Sequence, residues 1–243
     1  MMNRMLKTFK RLLLAAVVAP TLAIAAAPTV QLDRAPVSMD PASLQHGAKL
    51  FVNYCLNCHS ASFMRYNKLT EIGLSEEAIR DNLMFAGERV GDLMTIAMRP
   101  DESKAWFGAT PPDLTLVARQ RNSSAGSGAD WLYTYLRTFY RDAERPSGWN
   151  NLVFENVGMP HVLWDLQGQQ ELGDAKQLSL AKPGSMTVAE YDKAVADLVS
   201  FLVWMGEPVA EKRRAIGIYV LIFLVFFSAL AYALKKNYWK DIH

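Results

Sequence analysis

Cys55-Leu56-Asn57-Cys58-His59 constrains this chain more than any other stretch, because it holds both cysteines of the 243 residues. Two thiols three positions apart, with histidine directly after the second, form the arrangement that fixes a c-type haem covalently. Each sulfur can form a thioether to one porphyrin vinyl group, and the adjoining imidazole then serves as the proximal iron ligand. A bare C-x-x-C also admits zinc, disulfide and thiol-redox readings. The appended histidine and the exhausted cysteine inventory weigh against all three, and zinc would need four ligands from a chain whose four histidines are widely scattered. The first expectation is therefore one covalent haem c at Cys55, Cys58 and His59.

Both ends of the chain point to a membrane. Residues 1–27 read as an export signal: Arg4, Lys7, Lys10 and Arg11, then an apolar run from Leu12 to Ala19, then an alanine-rich stretch with Ala23-Ile24-Ala25 and Ala25-Ala26-Ala27 as cleavage sites. A retained anchor is the rival reading, weakened by the short run and by Pro20 within it. Without those four basic residues, 22 of the 26 remain against 24 acidic ones, so the mature chain is near −2 and nucleic acid is not an expected partner. Ala215 to Leu234 carries no formal charge and, at about 1.5 Å per residue, matches a bilayer core of about 30 Å. Arg213 and Arg214 bound it on one side, Lys235 and Lys236 on the other, and Tyr238, Trp239 and Lys240 form an interfacial girdle. The flanking charges nearly balance, so the export signal sets the orientation. The expected division is 1–27 signal, 28–211 exported haem domain in the periplasm, 212–236 anchor with flanks, and 237–243 cytoplasmic tail.

The exported part is long enough for one core. Asp40-Pro41 has the form of a helix start, cap then proline, and Leu44, Ala48, Phe51, Val52 and Cys55 follow with helical period. Ser75 is the expected cap of a second helix through Leu83, and Asp130 of a third bearing Leu132, Tyr135, Leu136, Phe139 and Tyr140. Thr187 with Glu190 forms a capping box opening a last helix, with Tyr191, Val195, Leu198, Phe201, Leu202 and Met205 on its apolar side. Residues 98–129 and 141–186 read as irregular, and no strand signal is strong. The expected fold is mostly α: a cytochrome c-like haem domain with long loops, plus one C-terminal transmembrane helix.

An electron-transfer haem needs a second axial ligand, and eleven methionines compete for the position. Met1, Met2 and Met5 leave with the signal, Met39 and Met64 stand close to the motif, and Met205 reads as packing. Met84, Met94 and Met98 stay open. Met159 stands apart in Asn156-Val157-Gly158-Met159-Pro160, a stiff turn 100 residues after His59. His161 is its chief rival and would lower the potential, because imidazole stabilises ferric iron better than thioether. His46, within the haem helix, reads as surface or loop packing. Arg119 and Arg121, after Pro111-Pro112-Asp113-Leu114, are both candidates for a haem propionate, since guanidinium forks match carboxylates. Periodicity does not choose between them, or between that role and a solvated surface.

From about residue 40 onward, the chain resembles the cytochrome c1 family in a bacterial form, the haem-bearing subunits of quinol–cytochrome c oxidoreductase (bc1) complexes. The resemblance rests on an ordered set: Cys55-Leu56-Asn57-Cys58-His59-Ser60, Tyr66 and Leu69, then Gly108-Ala109-Thr110-Pro111-Pro112-Asp113-Leu114-Thr115, then Arg119-Gln120-Arg121. Gly158-Met159-Pro160, then Phe201-Leu202-Val203-Trp204 with Glu207-Pro208, and a single C-terminal span complete it. It implies His59 and Met159 as axial pair, Arg121 on a propionate, Pro111 and Pro112 lining the haem pocket, and Asp130-Trp131 near the haem. The long acidic insertion and extra cysteine pair of mitochondrial forms are absent from this sequence. The implied function is one-electron relay from a Rieske iron–sulfur protein to a soluble or tethered cytochrome c, beside cytochrome b in an inner membrane. The chain alone would be a carrier, with the whole complex the enzyme. The alternative is a membrane-anchored cytochrome subunit of a terminal oxidase or dehydrogenase. A catalytic haem protein with an open sixth position is a third class.

Overall fold

The computed structural model describes residues 30–241, so the export-signal assignment lies outside the described residues, as does the end of the tail. Helix α1 (Pro41–Leu50) starts where the sequence places it: the Asp40 side chain accepts from the Ala42 and Ser43 amides, with proline in the first turn. It continues into a π-helical turn, Phe51–Cys55, closed by the Leu56 amide on the Phe51 carbonyl at 2.9 Å. That wider turn carries Cys55 and buries Phe51 and Val52, a local departure from α geometry of the kind that marks functional positions.

After the haem motif come β1 (Ala61–Arg65), a 3₁₀ turn (Tyr66–Ile72) and α2 (Glu76–Asn82), which Ser75 caps as expected. The short β2 (Leu93–Met94) pairs antiparallel with β1. The segment expected to be wholly irregular contains α3 (Pro100–Phe107) and the single turn α4 (Val117–Gln120). Proline opens α3 and Gly108, at φ 75°, closes it, so its boundaries are written in residues that otherwise read as loop.

Helix α5 (Gly128–Arg137) begins earlier than expected. Ser127, not Asp130, is the cap: its hydroxyl accepts from the Asp130 amide while the Asp130 carboxylate accepts from the Ser127 amide. Asp130 is thus the third residue of a capping box, and the helix stops before Phe139 and Tyr140. Those two belong to β3 (Phe139–Arg141), which pairs antiparallel with β4 (Trp149–Asn151). A turn of helix α6 (Trp164–Gln167) leads to the hairpin β5 (Gly168–Leu172) and β6 (Leu178–Pro183). Residues 141–186 therefore carry strands in place of the irregular chain expected. These strands run three to six residues, with Asn150 and Asn151 buried in β4 and Leu180 exposed in β6, so burial does not follow a two-residue hydropathy period.

Helix α7 (Val188–Gly206) is the spine of the domain, opened by the Thr187–Glu190 capping box. It packs against α1, α4 and α5, and buries Tyr191, Val195, Leu198, Phe201, Leu202 and Met205. Because several elements surround it, polar residues are buried too, and each finds a partner. Asp197 accepts from His46 Nδ1 at 2.8 Å and from Lys193 at 2.7 Å, and Ser200 donates to the Ala196 carbonyl at 2.7 Å. His46 thereby has a packing role on the α1–α7 seam. Helix α8 (Ala210–Tyr238) follows, the one helix among the described residues long and apolar enough to cross a membrane. Ile216, Leu221, Phe223, Val225 and Phe227 are exposed all round it, as suits a lipid environment. The molecule is thus a mostly helical domain with long loops and one C-terminal apolar helix of spanning length.

Candidate haem site

An apolar cavity of about 290 Å³ lies between the haem-motif turn, the Pro111–Pro112 segment, α5 and the loop around Met159. Cys55, Cys58, His59, Pro111, Pro112, Arg121 and Met159 all line it. Residues far apart in sequence are brought to one hollow, and local backbone bonding explains how.

The His59 amide donates to the Cys55 carbonyl at 2.9 Å, a tight turn that sets thiols and imidazole at the same wall. His59 is then oriented from the other side, with Nδ1 2.7 Å from the Pro112 carbonyl. That bond commits Nδ1 as donor and leaves Nε2 without a protein partner among the described residues, the arrangement used by metal-ligating histidines. The proline segment is itself pinned. The Leu114 amide donates to the Ser60 carbonyl at 2.9 Å, and Asp113 accepts from the Ser62 amide at 2.7 Å and the Thr115 amide at 2.9 Å. Burial works against the Asp113 charge, but the bonds from Thr115 and Ser62 outweigh it and hold the carboxyl below its usual range. Burial lowers the His59 imidazole, the Pro112 carbonyl and Asp113 opposing it only in part, so the ring is neutral and its free nitrogen a donor to metal.

Both cysteines are free thiols, Cys55 buried and Cys58 half-buried. Burial, with Cys58 adding to it, pushes Cys55 up to about 12, and burial raises Cys58 as well. A thiol-redox pair requires a ready thiolate, so this environment disfavours that reading. Among the described residues no three His, Cys, Asp or Glu side chains are grouped to hold a metal ion.

Met159 is the one methionine lining the cavity among the described residues. Met64 and Met94 are buried in the core elsewhere, as is Met205. Residues that sequence reasoning did not single out hold the Met159 loop. Asn150 Oδ1 accepts from the Asn156 amide at 2.9 Å, and Asn156 occupies a left-handed conformation, φ 62°, which asparagine tolerates. Asn151 Oδ1 accepts from the Val153 and Phe154 amides, and its Nδ2 donates to the Tyr135 carbonyl at 2.7 Å. A Cβ on Gly158 would stand 3.2 Å from the Phe107 carbonyl oxygen, so glycine before Met159 lets the loop press against α3. Two asparagines in a short strand were the available signal, since the residue is depleted there unless its side chain is used.

His161 is not in the cavity wall. Its ring is buried, stacked on Phe139 at 4.8 Å and edge-on to Trp149 at 5.1 Å, and burial lowers it to about 4. The two arginines divide as well. Arg119 is spent on Glu207 at 2.6 Å, whereas Arg121 lines the cavity with its guanidinium 4.4 Å from the Trp131 ring centroid. Tyr135 shares that wall. It is stacked on Trp131 at 4.7 Å with its hydroxyl 3.3 Å from Met159 Sδ, and burial raises its phenol far above the usual range.

The donor set therefore fits a covalent haem. Two neutral thiols, an imidazole with its outer nitrogen committed, a thioether and a guanidinium meet in an otherwise apolar hollow. The residues that would hold it are Cys55 and Cys58 through sulfur, His59 and Met159 at iron, and Arg121 at a propionate, with Pro111 and Pro112 as walls.

Comparison with known proteins agrees with this chemistry. Residues 32–242 match the model of the Cytochrome C1 family. The chain is 53% identical to a protein of Nitrosomonas europaea named ammonia monooxygenase gamma subunit, over 98% of this chain and 100% of that one. It is 48% identical to cytochrome c1 of Allochromatium vinosum over 93% and 95% of the two chains. A mitochondrial cytochrome c1 of Solanum tuberosum is 30% identical over 74% of this chain and 72% of its own. By cavity, motif order and length of match, the chain belongs to the cytochrome C1 family.

Proposed function

We propose that this chain is the haem c-bearing electron carrier of a quinol–cytochrome c oxidoreductase complex, taking one electron from a Rieske iron–sulfur protein and passing it to a cytochrome c. The observation that carries this is the meeting of both thiols, His59 and Met159 in one apolar cavity of a Cytochrome C1 family chain. A bound haem supplies a ferric–ferrous couple exchanging a single electron. The protein's part is to hold the ligands still. His59 is fixed by Pro112 and Met159 by its asparagine-stapled loop, so neither need move between oxidation states. Thioether as second ligand favours ferrous iron more than a second imidazole would, which suits an acceptor downstream of a Rieske centre.

Residues 1–27 direct export, residues 28–211 form the periplasmic domain, residues 212–236 anchor it as a single pass in a bacterial inner membrane beside cytochrome b, and residues 237–243 stay in the cytoplasm. Glu207 supports this layout: it binds Arg119 of the haem domain and Arg213 at the start of α8, tying domain to anchor. A second reading follows the name of the Nitrosomonas europaea relative, that of a subunit in an ammonia monooxygenase assembly. Purification of the tagged full chain from its own membranes separates the two. A b-type cytochrome and a Rieske protein should copurify, and added quinol should reduce the chain's haem. Copurification with monooxygenase or copper-oxidase subunits, and no reduction by quinol, would overturn the proposal.

A further inference from the structure

The Tyr135 hydroxyl has Met159 Sδ as its one hydrogen-bond partner among the described residues, at 3.3 Å. The ring has little freedom to turn elsewhere. It is stacked on Trp131 at 4.7 Å and 14°, meets Phe139 edge-on at 5.0 Å, and sits in α5, where its carbonyl is held by Asn151. A thioether sulfur has two lone pairs, so it can accept this hydroxyl and still donate to a metal. We propose that Tyr135 is a positioning residue for Met159: its hydroxyl holds the sulfur toward the cavity and draws electron density from it. The proposal rests on the reading of Met159 as an iron ligand. A sulfur relieved of density donates less to ferric iron, and the positive end of the O–H dipole favours the electron-rich ferrous state. The hydroxyl thus raises the potential. No proton leaves the tyrosine and no bond is exchanged.

The test uses the full-length, haem-loaded protein in its complex, with potentiometric titration and the long-wavelength methionine–iron charge-transfer band as readouts. Tyr135→Phe removes the hydroxyl and keeps the ring stack. At fixed ambient potential the ferrous-to-ferric ratio should fall about threefold to tenfold, a midpoint drop of about 30 to 60 mV at about 59 mV per decade for one electron. The band should shift with it. In a Met159→His background the same substitution should leave the midpoint nearly unchanged. An unaltered midpoint in the single variant overturns the proposal, and so does an equal drop in both backgrounds, which would mean general pocket polarity. A wild-type protein with no methionine–iron band fails earlier, at the ligation reading itself. If Tyr135→Phe does not accumulate, the wild-type ferric protein still decides by NMR. A slowly exchanging hydroxyl proton with an Overhauser contact to the Met159 methyl supports the proposal, and its absence overturns it.

Discussion

Asp113→Asn is the substitution whose consequence is best determined by the geometry. Each carboxylate oxygen has its own donor, the Ser62 amide on Oδ2 at 2.7 Å and the Thr115 amide on Oδ1 at 2.9 Å. Asparagine keeps one acceptor and turns an NH₂ toward the other amide, so one charge-assisted bond becomes a donor facing a donor. Such a bond contributes about 1.5–3 kcal/mol, and weakening of the second brings the expected loss to about 2–3 kcal/mol. With a urea slope of about 2 kcal/mol/M, the unfolding midpoint should fall by about 1–1.5 M, read by far-UV circular dichroism on the detergent-solubilised full chain. Thr115→Val probes the same carboxylate from its partner: the hydroxyl accepts from the Phe63 amide at 3.3 Å and also bonds to Asp113, so its loss should be about 1–2 kcal/mol, smaller than that of Asp113→Asn.

The Asp113 difference must also depend on pH. The carboxyl is held below its unfolded value, so its contribution is fully present above the unfolded pKa and is lost as pH falls through the folded one. Wild type and Asp113→Asn should therefore converge in acid. A midpoint within about 0.3 M of wild type at neutral pH, or a gap that widens on acidification, would refute the reasoning.

Three further outcomes follow from other parts of the fold. Gly47→Ala should cost several kcal/mol and depress expression, because the new Cβ would stand 2.1 Å from the Asp197 carbonyl oxygen on the α1–α7 seam. A thermal midpoint unchanged from wild type would contradict that packing. Thr187→Ala should lower stability by about 1 kcal/mol through loss of the α7 cap, measured by urea titration. Asn151→Ala strands the Val153 and Phe154 amides and leaves the Tyr135 carbonyl only its longer bonds from Thr138, so a loss of about 2–3 kcal/mol in urea titration should accompany weakened methionine–iron absorption.

How legible all this was depends on how local the cause is. The start of α1, the Ser75 cap and the Thr187–Glu190 box are short-range hydrogen-bond patterns, and sequence shows them directly. Asp130 was misplaced by three residues because Ser127 and Asp130 share the box, and either residue type can cap. The strands in 141–186 are hard to read because they are short two-stranded ribbons in which β4 buries Asn150 and Asn151 and β6 exposes Leu180, so hydropathy does not mark their faces. In the site, the contiguous motif was plain, but the choice between Arg119 and Arg121 was not. Glu207, 88 positions away, pairs with Arg119 and leaves Arg121 at the cavity wall, and nothing near either arginine encodes that. The place of His161 outside the cavity wall is likewise tertiary, set by Phe139 and Trp149 closing around its ring. Tyr135 read as one more apolar-face residue of α5 until its hydroxyl was found beside Met159.

Intact and peptide mass spectrometry after alkylation under denaturing, reducing conditions tests the central assignment most directly, on chain produced in cells able to attach haem. The peptide spanning Cys55 to His59 should carry the mass of one haem, resist extraction by acidified acetone, and take up no alkylating label. Two alkylated cysteines and a colourless peptide would contradict it.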